Sequence, residues 1–365
     1  MSEIGRGTAG SRRRYTVGAL FCGMGGFASG MDREGFALRW ATDSDAAACA
    51  TFHHRFPDVP VLEKDVADLS VAVDQLEPVD VLTAGFPCQS FSQAGDRRGF
   101  DDPRGRTFLE IIRLVGEFTE ADRPRLLLLE NVPHLLHGAG GAWFDRVRRE
   151  LRRAGYWFRQ SACWVANVKE ETALPQDRER LFMVAASRHH FSFNPFTPPP
   201  DRPEGAQSES SAKLNGKHGL DEFVDRRSPR ESSEYLSPHN RYFKMIARKM
   251  ESGDRRNIYQ LRRSYVREKQ DGLCPTLTAN MGIGGHNVPF IRDEWGIRRL
   301  GVDEVARLQG FRDPEDLFPA EITITERYRL LGNAVCADLA TVAARRCMTG
   351  LAEYCSPSNK GDHRD

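Results

Sequence analysis

Short apolar segments alternate with amphipathic helical patterns through the first half of the chain, and this alternation limits the possible folds more than any other feature. The segments that predict buried strands lie at 17–21, 36–43, 79–85, 125–130 and 180–186, and those with helical spacing lie at 107–118 and 143–154. Strands that alternate with helices build a mostly parallel sheet covered by helices on both faces. We therefore predict an α/β fold.

Polar residues follow the predicted strands at their carboxyl ends, which is where open α/β sheets bind ligands. The sequence Phe-Cys-Gly-Met-Gly-Gly-Phe at 21–27 follows the first strand, and its glycines allow a sharp turn and a close approach of the backbone to a ligand. Asp43 ends the next strand, at a spacing that suits a carboxylate accepting both hydroxyls of a ribose. The pattern predicts a nucleoside-binding site. The alternative is that the glycines only form the turn that joins a strand to a helix.

The composition is typical of a folded protein, and the near-zero net charge argues against general binding to nucleic acid. The 365 residues are 40% apolar and 28% charged, with a net charge of +1. No apolar run reaches the ~18 residues that a membrane span requires, and no apolar stretch follows the basic N-terminus as in a secretory signal. The eight cysteines form no Cys-x-x-Cys pair, so we expect neither a metal site nor a disulfide framework, and we predict a reducing, cytoplasmic compartment.

A change of composition near residue 190 divides the chain. Residues 191–240 are rich in Pro, Ser, Asp and Arg and predict an irregular segment that is flexible near 197–240. Residues 241–267 are basic, and helical patterns return beyond residue 290. The chain therefore combines a large α/β domain, a smaller basic domain and a C-terminal helical part.

The predicted boundaries follow from this change. They are a tail over 1–14, the α/β domain over 15–190, the smaller domain over 191–295, the C-terminal part over 296–350 and a tail over 351–365. We expect the last helix to return to the first domain. Internal repeats are absent from the sequence.

Three polar groups that are able to perform chemistry stand near predicted strand ends. Cys88 lies between Pro87 and Gln89 directly after a strand, where its thiol would face the ligand crevice. Glu130 ends another strand, and Gln176, Arg178 and Arg180 alternate so that they share one face. Each has an ordinary explanation, such as a buried thiol, a surface acid or an ion pair. Their occurrence at the ends of strands in one sheet favours a catalytic site.

Taken together, the motifs resemble those of the DNA (cytosine-5) methyltransferases, the C5 type of S-adenosylmethionine-dependent enzyme. The matching segments, in the family's order, are FCGMGGF, Asp43, KDVADL, GFPCQSFSQAG, DDPRGRTF, LENV, PQDRER, RLQGF and LGNAV. They cover roughly 14–186 and 297–350. The resemblance implies the Rossmann-like fold of the class I methyltransferases, a smaller target-recognition domain and S-adenosylmethionine as cofactor.

The resemblance also implies roles for single residues. Cys88 would be the nucleophile that adds to C6 of cytosine, and Glu130 would hold or protonate N3. Arg178 would stabilise charge at O2, and Arg180 would support the site electrostatically. The residues that would bind the cofactor are Phe21, Gly23, Gly25, Gly26, Asp43, Ser44, Asp65, Val66, Pro87, Asn333 and Ala334.

The implied partner is double-stranded DNA, from which the target base must be flipped out. The region between PQDRER and RLQGF would recognise the sequence, with 259–267 as a strand-like segment and 275–287 as a glycine-rich loop. The residues expected to contact DNA are Gln89, Ser90, Ser92, Arg104, Gln260, Arg262, Arg263, Arg267, Thr278, Asn280, Gly284 and Gly285. We expect a monomer, and a cognate restriction endonuclease that acts on the same site without forming a stable complex.

Three other functions compete with this interpretation. A methyltransferase of the same fold that acts on tRNA usually carries a Cys-Phe-Thr motif, which is absent here. A catalytically silent DNA-binding relative is disfavoured because Cys88, Glu130, Arg178 and Asn333 are all present. A nicotinamide oxidoreductase is disfavoured because the glycine spacing differs from the Gly-x-Gly-x-x-Gly pattern of dinucleotide sites.

Overall fold

Fourteen strands are present in the computed structural model, which describes residues 14–87, 106–196, 219–262, 264–282 and 286–354. They are β1 Thr16–Leu20, β2 Ala37–Asp43, β3 Val61–Glu63, β4 Val81–Gly85, β5 Leu126–Asn131, β6 Tyr156–Trp157, β7 Cys163–Asn167, β8 Gln176–Asp177, β9 Glu179–Ser187, β10 Ile258–Leu261, β11 Val266–Lys269, β12 Cys274–Pro275, β13 Pro289–Arg292 and β14 Ile297–Arg299. The predicted strands of the first half of the chain are all found, with ends shifted by one or two residues.

Nine α-helices accompany the strands within the same described ranges. They are α1 Gly26–Arg33, α2 Ala46–Arg55, α3 Thr107–Glu117, α4 Ala142–Arg153, α5 Val168–Glu171, α6 Phe243–Glu251, α7 Val302–Leu308, α8 Ile324–Asn333 and α9 Ala337–Tyr354. No helix in these ranges is long and apolar enough to cross a membrane.

The large sheet has the strand order β3-β2-β1-β4-β5-β9. Along the outer edge of β9, β6 and β7 each pair with a different part of that strand. The pairs from β3 to β5 are parallel, whereas β9 is antiparallel to β5, β6 and β7. The chain runs from β1 outward to β3 and then returns to β4 on the other side of β1. This reversal opens a crevice at the carboxyl ends of β1 and β4, the usual ligand position in such sheets.

Helices cover both faces of the large sheet. On one face, Leu127 and Leu129 of β5 pack with α3 and α4 in one buried cluster, and on the other face Leu126 and Leu128 pack with α1 and α9. All four leucines are fully buried, as expected for a strand enclosed on both faces. The predicted mostly parallel α/β fold is confirmed.

The last helix, α9, lies against the first. Leu339, Ala340 and Ala343 of α9 share a buried cluster with Phe27 and Met31 of α1. The close approach requires a residue without a side chain, because a Cβ atom on Gly30 would lie 2.5 Å from the backbone nitrogen of Thr341. The helix continues to residue 354, so part of the predicted tail over 351–365 is helical, whereas 1–13 and 355–365 lie outside the described residues.

A second sheet of strand order β11-β10-β13-β14 forms the smaller domain. Tyr259 and Leu261 of β10 pack with Ile246 and Met250 of α6. The predicted strand-like segment 259–267 is a hairpin, because β10 and β11 pair antiparallel around a turn. The predicted boundary at 295 lies between β13 and β14, which pair antiparallel.

Part of the segment predicted to be flexible packs against the C-terminal part of the chain. Leu220 and Val224 are buried in the cluster that also contains Val305, and Arg230 donates to the carboxylate of Asp303 at 3.0 Å. Residues 219–240 therefore have defined contacts, which composition does not reveal because few apolar side chains anchor them. Residues 197–218 lie outside the described residues.

Candidate active site

A cavity of about 440 Å³ opens at the carboxyl ends of the parallel strands. Residues that follow each of β1, β2, β3, β4 and β5 contribute to its wall, and α8 closes one side. The predicted cofactor residues that line it are Phe21, Gly23, Asp43, Ser44, Asp65, Val66, Pro87, Asn333 and Ala334. The fold thus brings together residues separated by up to three hundred positions, because parallel strands place all their carboxyl ends at one edge.

Asp43 is held by the glycine loop on the floor of this cavity. Gly23 has a positive φ of 53°, a conformation that favours glycine, and its amide donates to Oδ2 of Asp43 at 2.8 Å. The amide of Asp45 donates to Oδ1 at 3.0 Å. Burial raises the pKa of Asp43, and these two amides act against the shift. Two carboxylate oxygens fixed by backbone amides keep further lone pairs for hydroxyl donors.

Gly25 and Gly26 contribute to the cavity only indirectly. Gly25 has a φ of 87° and precedes the first turn of α1. A Cβ atom on Gly26 would meet the carbonyl oxygen of Val335. Gly26 therefore lets the segment after α8 approach the first loop.

Asp65 and Asn333 bound the cavity from opposite sides. The carboxylate of Asp65 accepts the amide of Ala67 at 2.9 Å and so caps the short 3₁₀ turn over Val66–Asp68. Asn333 is the last residue of α8, and Ala334 follows it. Each of these two polar residues is followed in the sequence by an apolar residue, Val66 or Ala334, that also lines the cavity.

Glu130 and Arg180 form a buried ion pair at the wall of the cavity. Nε of Arg180 lies 2.8 Å from Oε1 of Glu130, and the two side chains are 14% and 10% exposed. Burial raises the pKa of Glu130, whereas the positive charges of Arg180 and Arg178 lower it. The net effect is a raised pKa, which favours the protonated form of this carboxyl group more than at an exposed glutamate.

Arg178 is not among the residues that line the cavity. Its guanidinium is fully buried and donates to the carbonyl oxygens of Leu277 at 2.7 Å, Ala334 at 2.8 Å and Gly332 at 3.3 Å. Arg178 lies between β8, which ends at Asp177, and β9, which begins at Glu179. Arg178 thus joins the large sheet to the segment after β12 and to the end of α8.

Cys88 lies outside the described residues, as do Gln89, Ser90, Ser92 and Arg104. The chain before it is well placed, since Pro87 lines the cavity and the carbonyl of Phe86 accepts the side-chain amide of Asn131 at 3.2 Å. Asn131 follows Glu130 directly on β5. The described chain therefore reaches, at Pro87, the same cavity that the Glu130–Arg180 pair lines.

Several cavity residues were not predicted from the sequence. Arg329 of α8 forms an ion pair with Asp45, whose carboxylate also accepts the amide of Ala48 at 3.1 Å and caps α2. The contact with Arg329 lowers the pKa of Asp45. An acid before a helix was a visible capping signal, but its partner is distant in sequence. Thr107 and Asn131 also line the cavity. They belong to the motifs DDPRGRTF and LENV but were not among the predicted site residues.

The residues predicted to contact DNA divide into two groups in the smaller domain. Gln260, Arg262 and Arg267 form one hydrogen-bonded group on the hairpin of β10 and β11. Thr278 donates to the side chain of Asn280 at 2.7 Å, and Asn280 donates to the carbonyl of His286 at 3.1 Å. Arg263, Gly284 and Gly285 lie outside the described residues.

A second concavity, of about 500 Å³, lies on the outer face of α4. It is lined by Asp145, Arg148, Arg149, Arg152 and Arg153. Arg148 pairs with Asp145 three residues earlier, and Arg153 pairs with Glu150 in the same way. Such exposed pairs are typical of a solvated helix face, and this concavity contains none of the predicted site residues.

Comparison with known proteins links the chain to one family. A family model described as C-5 cytosine-specific DNA methylase matches residues 15–349. The type II methyltransferase M.Bsp6I of Bacillus sp. (strain RFL6) is 34% identical over 323 residues, which cover 87% of this chain and 94% of that protein. M.Eco47II of Escherichia coli is 29% identical over 340 residues, covering 90% and 78%.

Solved structures show the same fold at lower identity. The methyltransferase EhMeth of Entamoeba histolytica has a TM-score of 0.66 at 16% identity and covers 94% of this chain and 99% of its own. The Dnmt2 methyltransferase of S. pombe has a TM-score of 0.64 at 17% identity, covering 92% and 99%. At these identities the likeness concerns the fold.

Proposed function

The chain belongs to the family of C-5 cytosine-specific DNA methylases, and on that premise we propose how its residues bind the methyl donor, the cytosine and the DNA. It is a DNA (cytosine-5)-methyltransferase, and enzymes of its family use S-adenosylmethionine. The proposal rests above all on one observation. The half-buried carboxylate of Asp43, the Glu130–Arg180 pair and the residue before Cys88 line a single cavity.

We place S-adenosylmethionine in this cavity because the donor set fits a nucleoside that carries a positive charge. Asp43 has lone pairs left for the ribose hydroxyls, and Asp65 with Val66 offers a polar and an apolar contact for the adenine. Asn333 and the Phe21 ring complete the wall. The cofactor supplies a methyl group activated by its sulfonium.

For the cytosine we propose covalent catalysis by Cys88. The Cys88 thiolate would add to C6, which would make C5 nucleophilic toward the methyl group of the sulfonium. As the C5–methyl bond formed, the S–methyl bond would break and the donor would leave as a neutral thioether. Loss of the C5 proton to water and expulsion of the thiolate then restore the aromatic ring. A base in a duplex cannot reach a cavity at a sheet edge, so the target cytosine is flipped out of the DNA.

Glu130 and Arg180 act on the cytosine ring in this proposal. A protonated Glu130 donates to N3, which draws electron density from C6 and favours attack by the thiolate. Arg180, held at 2.8 Å from Glu130, supplies positive charge beside the same ring. The support comes from the raised pKa of Glu130 and from the place of both side chains in the cavity wall.

Arg178 is proposed to be a positioning residue. Its three carbonyl partners belong to the segment after β12 and to the end of α8, which carries Asn333. Fixing both segments to one guanidinium sets the distance between the cofactor wall and the smaller domain. This role replaces the contact with O2 of cytosine expected from the sequence, and Arg180 takes that contact.

The similarity to type II methyltransferases suggests the biological setting. We propose that the chain methylates one double-stranded DNA sequence in a restriction-modification system, as a cytoplasmic monomer, beside an endonuclease that reads the same site without a stable complex. The smaller domain, 219–299 in its described part, selects the sequence.

The test is transfer of tritium from S-adenosylmethionine labelled in its methyl group to DNA and, separately, to tRNA. We expect label in DNA, and label confined to tRNA would contradict the proposal. DNA that carries 5-fluorocytosine should trap the enzyme covalently, because fluorine cannot leave C5 as a cation.

Cys88→Ser should lose both turnover and trapping, since a hydroxyl is far less ionised than a thiol near neutral pH. Cys163→Ser is the matched control, because Cys163 is a half-buried free thiol on β7 outside the cavity. Retained trapping in Cys88→Ser, or its loss in Cys163→Ser, would remove Cys88 from the mechanism.

A further inference from the structure

The hairpin of β10 and β11 carries a cluster of polar side chains that the catalytic cavity does not use. Gln260 lies on β10, and Arg267 lies opposite it on β11. Arg262 begins the turn, and its backbone amide donates to the carbonyl of Tyr265 at 2.8 Å. Asn287 ends the neighbouring loop, where its own amide is bonded to β10. The cluster therefore sits on backbone that is fixed from three sides.

Gln260 is the centre of this cluster. Its side chain is buried, with the residue only 2% exposed, and its Oε1 accepts from Nη1 of Arg262 at 3.2 Å and from Nη2 of Arg267 at 3.0 Å. Its Nε2 donates to the carbonyl of Asn287 at 3.3 Å. Both ends of the amide are thus used within the protein, so Gln260 holds its neighbours and does not itself face a ligand.

The two arginines keep donor groups for a partner. Arg267 is exposed and Arg262 half-buried, and Nη1 of Arg262 also donates to Oδ1 of Asn287 at 2.8 Å. A guanidinium has five N–H donors, and the bonds found within the described ranges use one nitrogen of each group. Within the same ranges neither forms an ion pair, whereas Arg256 of the same domain pairs with Asp254 at 2.9 Å.

We propose that Gln260 is a positioning residue that orients Arg262 and Arg267 as a pair of guanine readers in the DNA major groove. The inference rests on the proposed function. A guanidinium identifies guanine by donating to both O6 and N7. Two guanidinium groups that share one acceptor lie close enough to read the same or neighbouring base pairs. Because the side chains are already oriented, they lose less conformational freedom on binding than free surface arginines would.

The first experiment locates the guanine. Sequencing of the cytosines methylated by the wild type gives the recognition site, and short duplexes then carry 7-deazaguanine at one guanine at a time. This base keeps its pairing but lacks the N7 acceptor. We expect one or two substitutions to lower kcat/KM of the wild type by roughly tenfold to a hundredfold.

Arg262→Ala and Arg267→Ala should each become insensitive to a substitution that impairs the wild type. Arg256→Ala, the same chemical change at an exposed and paired arginine, should keep the wild-type pattern at every position. If instead the Arg262 and Arg267 variants slow methylation of all duplexes equally and each lower the salt slope by about one unit, they grip phosphates and the inference is wrong.

Gln260 is tested with both arginines present. Gln260→Leu removes the shared acceptor and should lower the discrimination about tenfold, whereas Gln260→Glu keeps an acceptor and should restore it. Because Gln260 is buried, Asn287→Gly serves as a second variant. It removes only the side-chain acceptor of Arg262 and tolerates the positive φ of 69° at this position.

Full discrimination in both Gln260→Leu and Asn287→Gly would overturn the positioning role. A wild type that methylates no DNA would instead contradict the proposed function. A wild type that methylates a defined site, with variants that keep its complete sensitivity to 7-deazaguanine, would contradict the present inference alone.

Discussion

At the scale of single residues, Asp43 shows how its surroundings can make one carboxylate a specific ligand-binding group. Its carboxylate is half-buried, and both oxygens are already oriented by backbone amides of Gly23 and Asp45. Hydrogen bonds from ribose hydroxyls to such a group involve little further reorganisation. The affinity for the cofactor should therefore depend strongly on this one carboxylate.

Asp43→Ala should weaken binding of S-adenosylmethionine by about 1–3 kcal/mol, because charge-assisted hydrogen bonds are lost and two amides are left without an acceptor. Isothermal titration calorimetry measures the change. Asp68→Ala, the same substitution at an exposed carboxylate outside the cavity, should bind like the wild type. Equal affinities of Asp43→Ala and Asp68→Ala would show that Asp43 is not the ribose acid.

Arg178 and Arg180 make different contacts although they are two positions apart, and the same change to Lys should separate them. Arg180→Lys keeps a charge beside Glu130 but loses the guanidinium geometry, so kcat should fall about 10²-fold with a small change in the free energy of unfolding. Arg178→Lys cannot serve all three carbonyl groups and should lower the free energy of unfolding by about 2–3 kcal/mol.

Urea unfolding and single-turnover methylation measure the two effects on the same preparations. A loss of stability that is equal in both variants would contradict the division of roles. So would an Arg178→Lys variant of full stability that is catalytically silent.

At the scale of elements, the packing of α9 on α1 depends on the absence of a side chain at Gly30. Helices approach this closely only where small residues meet, and a Cβ atom here would clash with backbone atoms of α9. The contact between the two helices joins the C-terminal part of the chain to the glycine loop that begins α1.

Gly30→Ala should lower the free energy of unfolding by about 1–3 kcal/mol, because the clash forces α9 away from the sheet. Gly116→Ala is the matched control in α3, where a Cβ atom meets nothing within 4 Å. That variant should gain about 0.5–1 kcal/mol from the better helix propensity of alanine. Chemical unfolding of both variants gives the comparison. Equal free energies of unfolding would show that α9 can move away without a loss of stability.

At the scale of the whole molecule, Asp177 connects the two sheets. It lies on β8, which pairs with β12, and its carboxylate binds Lys269 of β11 as well as Lys169 and Asn167 of the large domain. Burial raises the pKa of Asp177, but the hydrogen bonds from Lys269, Asn167 and Lys169 outweigh it, and the net pKa is well below the ordinary value. The smaller domain is thus held partly by one ionised group.

A lowered folded-state pKa means that the stabilisation is present above the unfolded value of about 4 and is lost as the pH falls through the folded-state value. The melting temperature of the wild type should therefore fall more steeply below pH 4 than that of Asp177→Asn, which lacks the ionised group at every pH. Asp68→Asn, at an exposed position, should follow the wild type. Parallel curves for the wild type and Asp177→Asn would contradict this role.

The sequence by itself determined the fold class and the place of the site. Buried strands appear in the sequence as short apolar runs. A parallel sheet brings the residues that follow each run to the same edge of the sheet. Asp43, Asp65, Pro87 and Glu130 could therefore be placed together from sequence, and the motifs identified the family. These inferences succeed because they depend on neighbouring residues and on a rule of topology.

Only the tertiary structure decided what the arginines do. Alternation predicted that Arg178 and Arg180 share one face, but it did not predict that the Arg178 guanidinium bonds to carbonyl groups about 100 and 155 positions away. Gln260 was expected to read bases and is instead buried beneath Arg262 and Arg267. A long charged side chain bonds to whatever acceptor folding brings within reach, and that partner depends on distant segments whose approach no local pattern encodes.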